Sequence, residues 1–117
     1  MIINGWTQRR WWPAMYGMPE WSLGTPMTDW AGRHLSGMTA RLSINGREIG
    51  SGKGSDVMGD PLNALAWLAG KLAAAGTPLR RGMIIMTGSM VPIQYPDAGD
   101  QVLVEISGLG TAELAVT

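Results

Sequence analysis

GSGKGSDVMGDPLNALAWLAGKLAAAGTPLRRGMIIMTGSM, residues 50–90, sets a glycine-rich loop, a capped helix and an apolar strand ending in Thr-Gly-Ser one after another without a gap. Asp60 can cap a helix whose first position is Pro61, where a missing N–H costs nothing. The helix is expected over about 61–75. Leu62, Leu65, Ala66, Leu68, Ala69 and Leu72 recur at helical spacing, and Gly76 offers a stop before Thr77-Pro78. A helix with one apolar face is expected to pack on a sheet. Met83-Ile-Ile-Met86 reads as a buried strand. Thr87, Gly88 and Ser89 then put two hydroxyls and neighbouring amides at its end, with Gly88 free to take positive φ. Such groups can hold a carboxylate or an enolate oxygen, although a Thr-Gly-Ser turn after a strand is also commonplace.

On either side the pattern is that of strands. Met38-Thr-Ala-Arg-Leu-Ser-Ile44 alternates, Asn45-Gly46 is what a two-residue hairpin turn wants, and Arg47-Glu-Ile49 returns. Gln101-Val-Leu-Val-Glu-Ile106 and Thr111–Val116 form a second pair around Ser107-Gly-Leu-Gly110. The expected fold class is α+β, mostly β, with one main helix. No internal repeat appears. Before this regular region five of the six tryptophans crowd into the first thirty residues with no period to organise them. The chain therefore divides into a Trp-rich segment, 1–30, and a regular domain portion, 31–117. Arg, Trp, Pro, Met and Gly are what out-of-frame reading of GC-rich DNA tends to give, so a shifted frame or fused start is expected in this segment.

At 117 residues the chain fits one domain with a modest core. Nine basic residues balance nine acidic ones, which supplies no field to draw nucleic acid or an anionic membrane. No segment has the length and apolarity of a membrane span, and Arg9, Arg10, Pro13 and Pro19 break any secretory core. Cysteine is absent, which excludes disulfides and thiolate chemistry and fits a cytoplasmic location.

Gly50-x-Gly-x-Gly54 is similar to a phosphate cradle. A Walker-type loop, however, needs Gly-Lys-Ser/Thr opening a helix directly, and a dinucleotide fingerprint needs a parallel βαβ unit. The plainer reading is backbone passing close to another element. His34 is the only imidazole; beside Arg33 it reads as a surface residue, and without a second His there is neither a zinc site nor a Ser-His-Asp set. Asn63, near the helix start, either adds an amide contact to a ligand or merely caps the turn. Asp60 is more cap than catalyst.

The run 50–90 together with the tail AGDQVLVEISGLGTAEL resembles the C-terminal part of the 2-keto-4-pentenoate (2-hydroxypentadienoate) hydratases and the 4-oxalocrotonate decarboxylases, in the fumarylacetoacetate hydrolase superfamily. The resemblance covers about residues 28–116. It implies a mixed β roll with one main helix, and a hydro-lyase of aromatic-compound catabolism that adds water to 2-hydroxypenta-2,4-dienoate, giving 4-hydroxy-2-oxopentanoate. It implies that Thr87, Gly88 and Ser89 face the small 2-oxo or 2-hydroxy-dienoic acid. It also implies Mg²⁺ or Mn²⁺ on three carboxylates, two of them as Glu-x-Glu, a pattern this sequence lacks. Glu20 and Asp29 are the only acids before Glu48. On this reading the chain is a truncated hydratase-like protein and a homo-oligomer. The alternative is a non-catalytic oligomeric or ligand-binding scaffold that uses the Trp-rich segment.

Overall fold

The computed structural model describes residues 22–117. Trp6, Trp11, Trp12, Trp21 and Glu20, and with them most of the Trp-rich segment, lie outside the described residues. Strands β1 (Thr39–Ile44), β2 (Arg47–Lys53), β3 (Gln101–Ile106) and β4 (Gly110–Ala115) form one sheet in the order β2-β1-β3-β4. Every pairing is antiparallel. Helix α1 (Pro61–Ala74) interrupts the strands in sequence, so the fold is α+β.

The hairpin turn forms where the sequence asked for it. Asn45 and Gly46 both take positive φ, 51° and 78°, as a turn matched to the right-handed strand twist requires. Asn45 is clasped from the far strand: its side-chain amide donates to Asp100 at 2.8 Å, and its side-chain carbonyl accepts from the Gln101 N–H at 2.9 Å. Arg47 and Glu48 pair with Ile44 and Ser43, but Gly50 pairs with Leu42, which leaves Ile49 as a bulge.

The register sorts the sheet into two faces. Thr39, Arg41, Ser51, Lys53, Glu105 and Thr111 share one, and Ala40, Leu42, Ile44, Val102, Val104, Ile106, Ala112 and Leu114 share the other. Only one end of the apolar face is deeply covered. Ala40, Val57 and Met90 make a buried cluster against which Ala64, Val91 and Ile106 pack. Leu35 and Pro61 are the largest fully buried side chains. At the other end Leu42, Ile44, Val102 and Leu114 are half-buried.

Three expectations need correction. Residues 50–53 are not loop but the second half of β2, which runs on to Lys53 before a 3₁₀ turn at Gly54–Asp56. The glycines there are explained by contact. A β-carbon on Gly52 would lie 1.6 Å from the Met90 carbonyl oxygen, and one on Gly54 1.9 Å from that of Leu35. Met83–Met86 does not form a strand. Met86 is a lone bridge residue, and Met83 and Met86 are exposed, because β2 and β4 end the described sheet and neither is paired to this run. Helix α1 does not lie across the sheet: Ala64, near its start, reaches the core cluster, while Trp67 is 56% exposed with the Lys71 ammonium 5.8 Å from its ring centre. Residues 90–92 cross β2 instead, with Met90 against Gly52 and Val91 and Pro92 against Gly50.

The helix ends follow their local signals. Asp60 accepts from the Leu62 N–H at 2.8 Å. Gly76 takes φ 77°, and the Thr77 N–H reaches back to the Leu72 carbonyl at 2.9 Å, which closes the C-terminus in Schellman fashion.

Candidate functional site

Thr87, Gly88 and Ser89 leave the bridge residue Met86 and lead into the segment that crosses β2. Thr87 is buried and engaged. Gly88 adopts φ 130°, a conformation closed to most side chains, and a β-carbon there would come 3.3 Å from Val57 Cγ1. The Ser89 hydroxyl donates to the Val91 carbonyl at 2.5 Å and receives the Val91 N–H at 3.3 Å. In this arrangement the hydroxyl closes a turn over two residues.

Asn63 sits in the first turn of α1 and its side-chain amide donates to the Met58 carbonyl at 3.0 Å. This bond ties the loop before the helix to its first turn. The sites share a floor: Gly88 rests on Val57, and Asn63 holds Met58, the next residue along. Met58 is held at φ 50° and Gly59 at φ 79°. A non-glycine residue in the left-handed region carries strain, of about 1–2 kcal/mol. Val57 and Met58, which link the two groups, were not legible in the sequence, because an isolated methionine in left-handed backbone has no sequence signature.

The carboxylates scatter. Asp29 pairs with Arg33 at 2.7 Å, Asp56 accepts from the Lys53 N–H at 2.7 Å, Asp60 caps the helix and Asp100 holds Asn45. The Arg33 guanidinium, by hydrogen bond first and by charge second, holds the Asp29 carboxyl below its ordinary value. Among the described residues no three acids or histidines come together in a set that could hold a metal ion. The described residues do not fit the cation implied by the resemblance, because each carboxylate named here has a separate protein partner and no three of them gather in one place. His34 is exposed, its Nε2 3.4 Å from the Ser36 hydroxyl, the surface place its sequence context suggests.

Two shallow concavities, of about 460 and 480 Å³, lie on the polar face, both including Thr39 and Arg41. Neither touches the 87–89 turn or Asn63. Both are open, and Arg41 within them lies 3.9 Å from Glu48, so they offer no enclosed set of convergent groups. The turn on the apolar side remains the better candidate. Among the described residues no helix is long and apolar enough to cross a membrane.

Comparison with known proteins extends this picture. The family model for the fumarylacetoacetate (FAA) hydrolase C-terminal region matches residues 1–117. A 2-hydroxyhexa-2,4-dienoate hydratase of Comamonas testosteroni is 40% identical over 95 residues, 81% of this chain and 36% of that protein. A 2-keto-4-pentenoate hydratase of Burkholderia vietnamiensis is 35% identical over 83 residues, 71% of this chain and 32% of that protein. The 4-oxalocrotonate decarboxylase of Pseudomonas putida G7, solved with magnesium and adipate, superposes with a TM-score of 0.67 at 31% identity, over 71% of this chain and 32% of that one. The chain spans about a third of the length of the curated relatives it matches.

Proposed function

From the premise that this chain belongs to the fumarylacetoacetate (FAA) hydrolase C-terminal family, we propose that it carries the substrate-facing wall of a hydratase. The reaction is addition of water to 2-hydroxypenta-2,4-dienoate: the enol gives up its proton and C5 takes one, which leaves the 2-oxo-3-ene, and water then adds its hydroxyl to C4 and its proton to C3 to give 4-hydroxy-2-oxopentanoate. The observation that carries this reading is the Thr87-Gly88-Ser89 turn, with Gly88 at φ 130° seated on Val57. Backbone in that conformation can turn amides and hydroxyls toward one oxygen of an anionic acid. Thr87 and Ser89 orient the acid, and Ser89 does so by exchanging its bond to the Val91 carbonyl for one to substrate. Asn63 acts one step removed, by fixing Met58 and so the floor beneath the turn.

Hydratase names among the relatives, and calcium or magnesium in the structures of a neighbour, support a divalent cation in the complete site, Mg²⁺ or Mn²⁺. The described carboxylates do not form its ligand set, so no step is routed through it here. Closure of the sheet into a mixed roll, and a cytoplasmic setting, belong to the same proposal.

The test is calorimetric titration of Mg²⁺ or Mn²⁺ into the purified chain, with the dienoate absorbance followed in the same samples. Cation binding with loss of absorbance is the expected result, the ligands then coming from outside the described residues or from a second copy of the chain. Neither signal from a folded sample would overturn the reading.

A second reading is favoured by one observation. Trp67, Met86, Ile93 and Tyr95 are 56%, 68%, 75% and 89% exposed, large apolar side chains of the kind that association between copies would bury. On this reading the chain is a non-catalytic scaffold that self-associates through these residues, with the Trp-rich segment as an added ligand platform. Light scattering after size exclusion decides it: a monomer at all concentrations removes self-association.

A further inference from the structure

The Asn45–Gly46 pair at the hairpin tip has a reactivity that its place in the fold controls. Gly46 carries no side chain to shield its nitrogen, and Asn45 is exposed. Both atoms of the Asn45 amide are nevertheless committed to the far strand, Nδ2 to Asp100 Oδ1 at 2.8 Å and Oδ1 to the Gln101 N–H at 2.9 Å. The Asn45 N–H adds a third tie, to the Gln101 carbonyl at 2.9 Å. Asp100 is itself fixed, its second oxygen accepting from the Asp97 N–H at 2.9 Å.

We propose that Asn45 is a site of slow covalent self-modification, held in check by the Asp100 clasp. The Gly46 backbone nitrogen attacks the Asn45 side-chain carbonyl carbon, a C–N bond forms, the Cγ–Nδ2 bond breaks, and ammonia departs carrying the Gly46 amide proton. The five-membered imide that remains is opened by one water. Opening at the side-chain carbonyl leaves aspartate at position 45, and opening at the backbone carbonyl leaves the isomer with an extra methylene in the main chain. The net change is one water in and one ammonia out, with no oxidant or cofactor.

Either product acts on the fold. A carboxylate at position 45 faces the Asp100 carboxylate where an amide donor stood, exchanging a charge-assisted bond for repulsion. The isomer lengthens a two-residue turn whose twist sets the β1–β2 register. Modification at the tip therefore loosens the hairpin whose second strand carries the glycines beneath Met90.

The experiment is incubation of the purified chain in mildly alkaline buffer, with peptide mass mapping of Asn45 and of Asn63 as internal reference. The wild type in urea, D100A and D100N are run in parallel. Asn45 is expected to convert faster in urea than in the folded chain. D100A is expected to speed it by about tenfold, the scale of a hydrogen bond to a charged group, while D100N, which keeps an acceptor, stays nearer the wild type. Conversion at Asn45 that is as fast folded as in urea overturns the proposal, as does a folded D100A at the wild-type rate. If D100A is unfolded, Asn63 accelerates with Asn45, and the comparison of wild type with and without urea decides alone.

Discussion

The carbonyl oxygen of Met90 stands 1.6 Å from where a β-carbon on Gly52 would be, so the segment that carries the Thr-Gly-Ser turn crosses β2 only because position 52 has no side chain. Gly52→Ala forces backbone apart rather than a flexible side-chain tip. The expected cost is at or above about 3 kcal/mol, the upper end for overpacking, read as a fall in the urea midpoint. Gly70→Ala, in open space within the helix, is the control and is expected to stabilise by about 0.5–1 kcal/mol. Equal behaviour of the two would refute the crossing.

Asp60→Ala removes the acceptor for the Leu62 N–H at the start of a helix that the sheet does little to hold. The loss is expected to be about 1 kcal/mol, with a drop in helical circular dichroism that Asp60→Asn largely restores. A signal unchanged in Asp60→Ala would show that Pro61 and the core contacts fix the helix start without the cap.

Asn63→Ala leaves the Met58 carbonyl without its amide donor and a left-handed methionine without its brace. About 1 kcal/mol of stability should go, and amide exchange around Val57–Gly59 should quicken more than in β3. Uniform quickening across the sheet would argue against a local brace.

Asp29 sets a pH dependence. The hydrogen bond from Arg33, and its charge, lower the folded-state carboxyl below 3.8. A depressed carboxyl contributes stability that is present above the unfolded value and lost as pH falls through the folded one. The window therefore lies below pH 3.8, and because the pair is exposed the effect is small and weakens with salt. A carbon-detected titration of Asp29 in wild type and Arg33→Ala checks it: the Arg33→Ala midpoint should rise.

The elements that formed as read are those specified by neighbours in sequence. Asn45-Gly46 needs only its own backbone freedom, Asp60-Pro61 only the next turn of helix, and Gly76 only the carbonyls behind it. The readings that failed depended on what lies across the fold. Gly50, Gly52 and Gly54 look like a loop until Met90, Val91, Pro92 and Leu35 are placed over them. Met83–Met86 has strand composition, but a strand exists only beside a partner. The candidate site divides in the same way: Thr87-Gly88-Ser89 was legible as a turn of special geometry, whereas Val57 and Met58 beneath it were not, since contact rather than composition gives them their role.

The bulge at Ile49 has a consequence for the whole arrangement. Strand faces alternate, so one supernumerary residue inverts the parity of everything after it. With Ile49 present, Gly50 and Gly52 stand opposite Leu42 and Ala40, on the side where Met90 crosses. Were the ladder regular through this point, with Ile49 itself opposite Leu42, Ser51 would fall opposite Ala40 and put a side chain in the path of the crossing, while the glycines turned to the polar face. The bulge is thus a phase-setter, and the seat of the Thr-Gly-Ser turn depends on one residue of β2 standing outside the ladder.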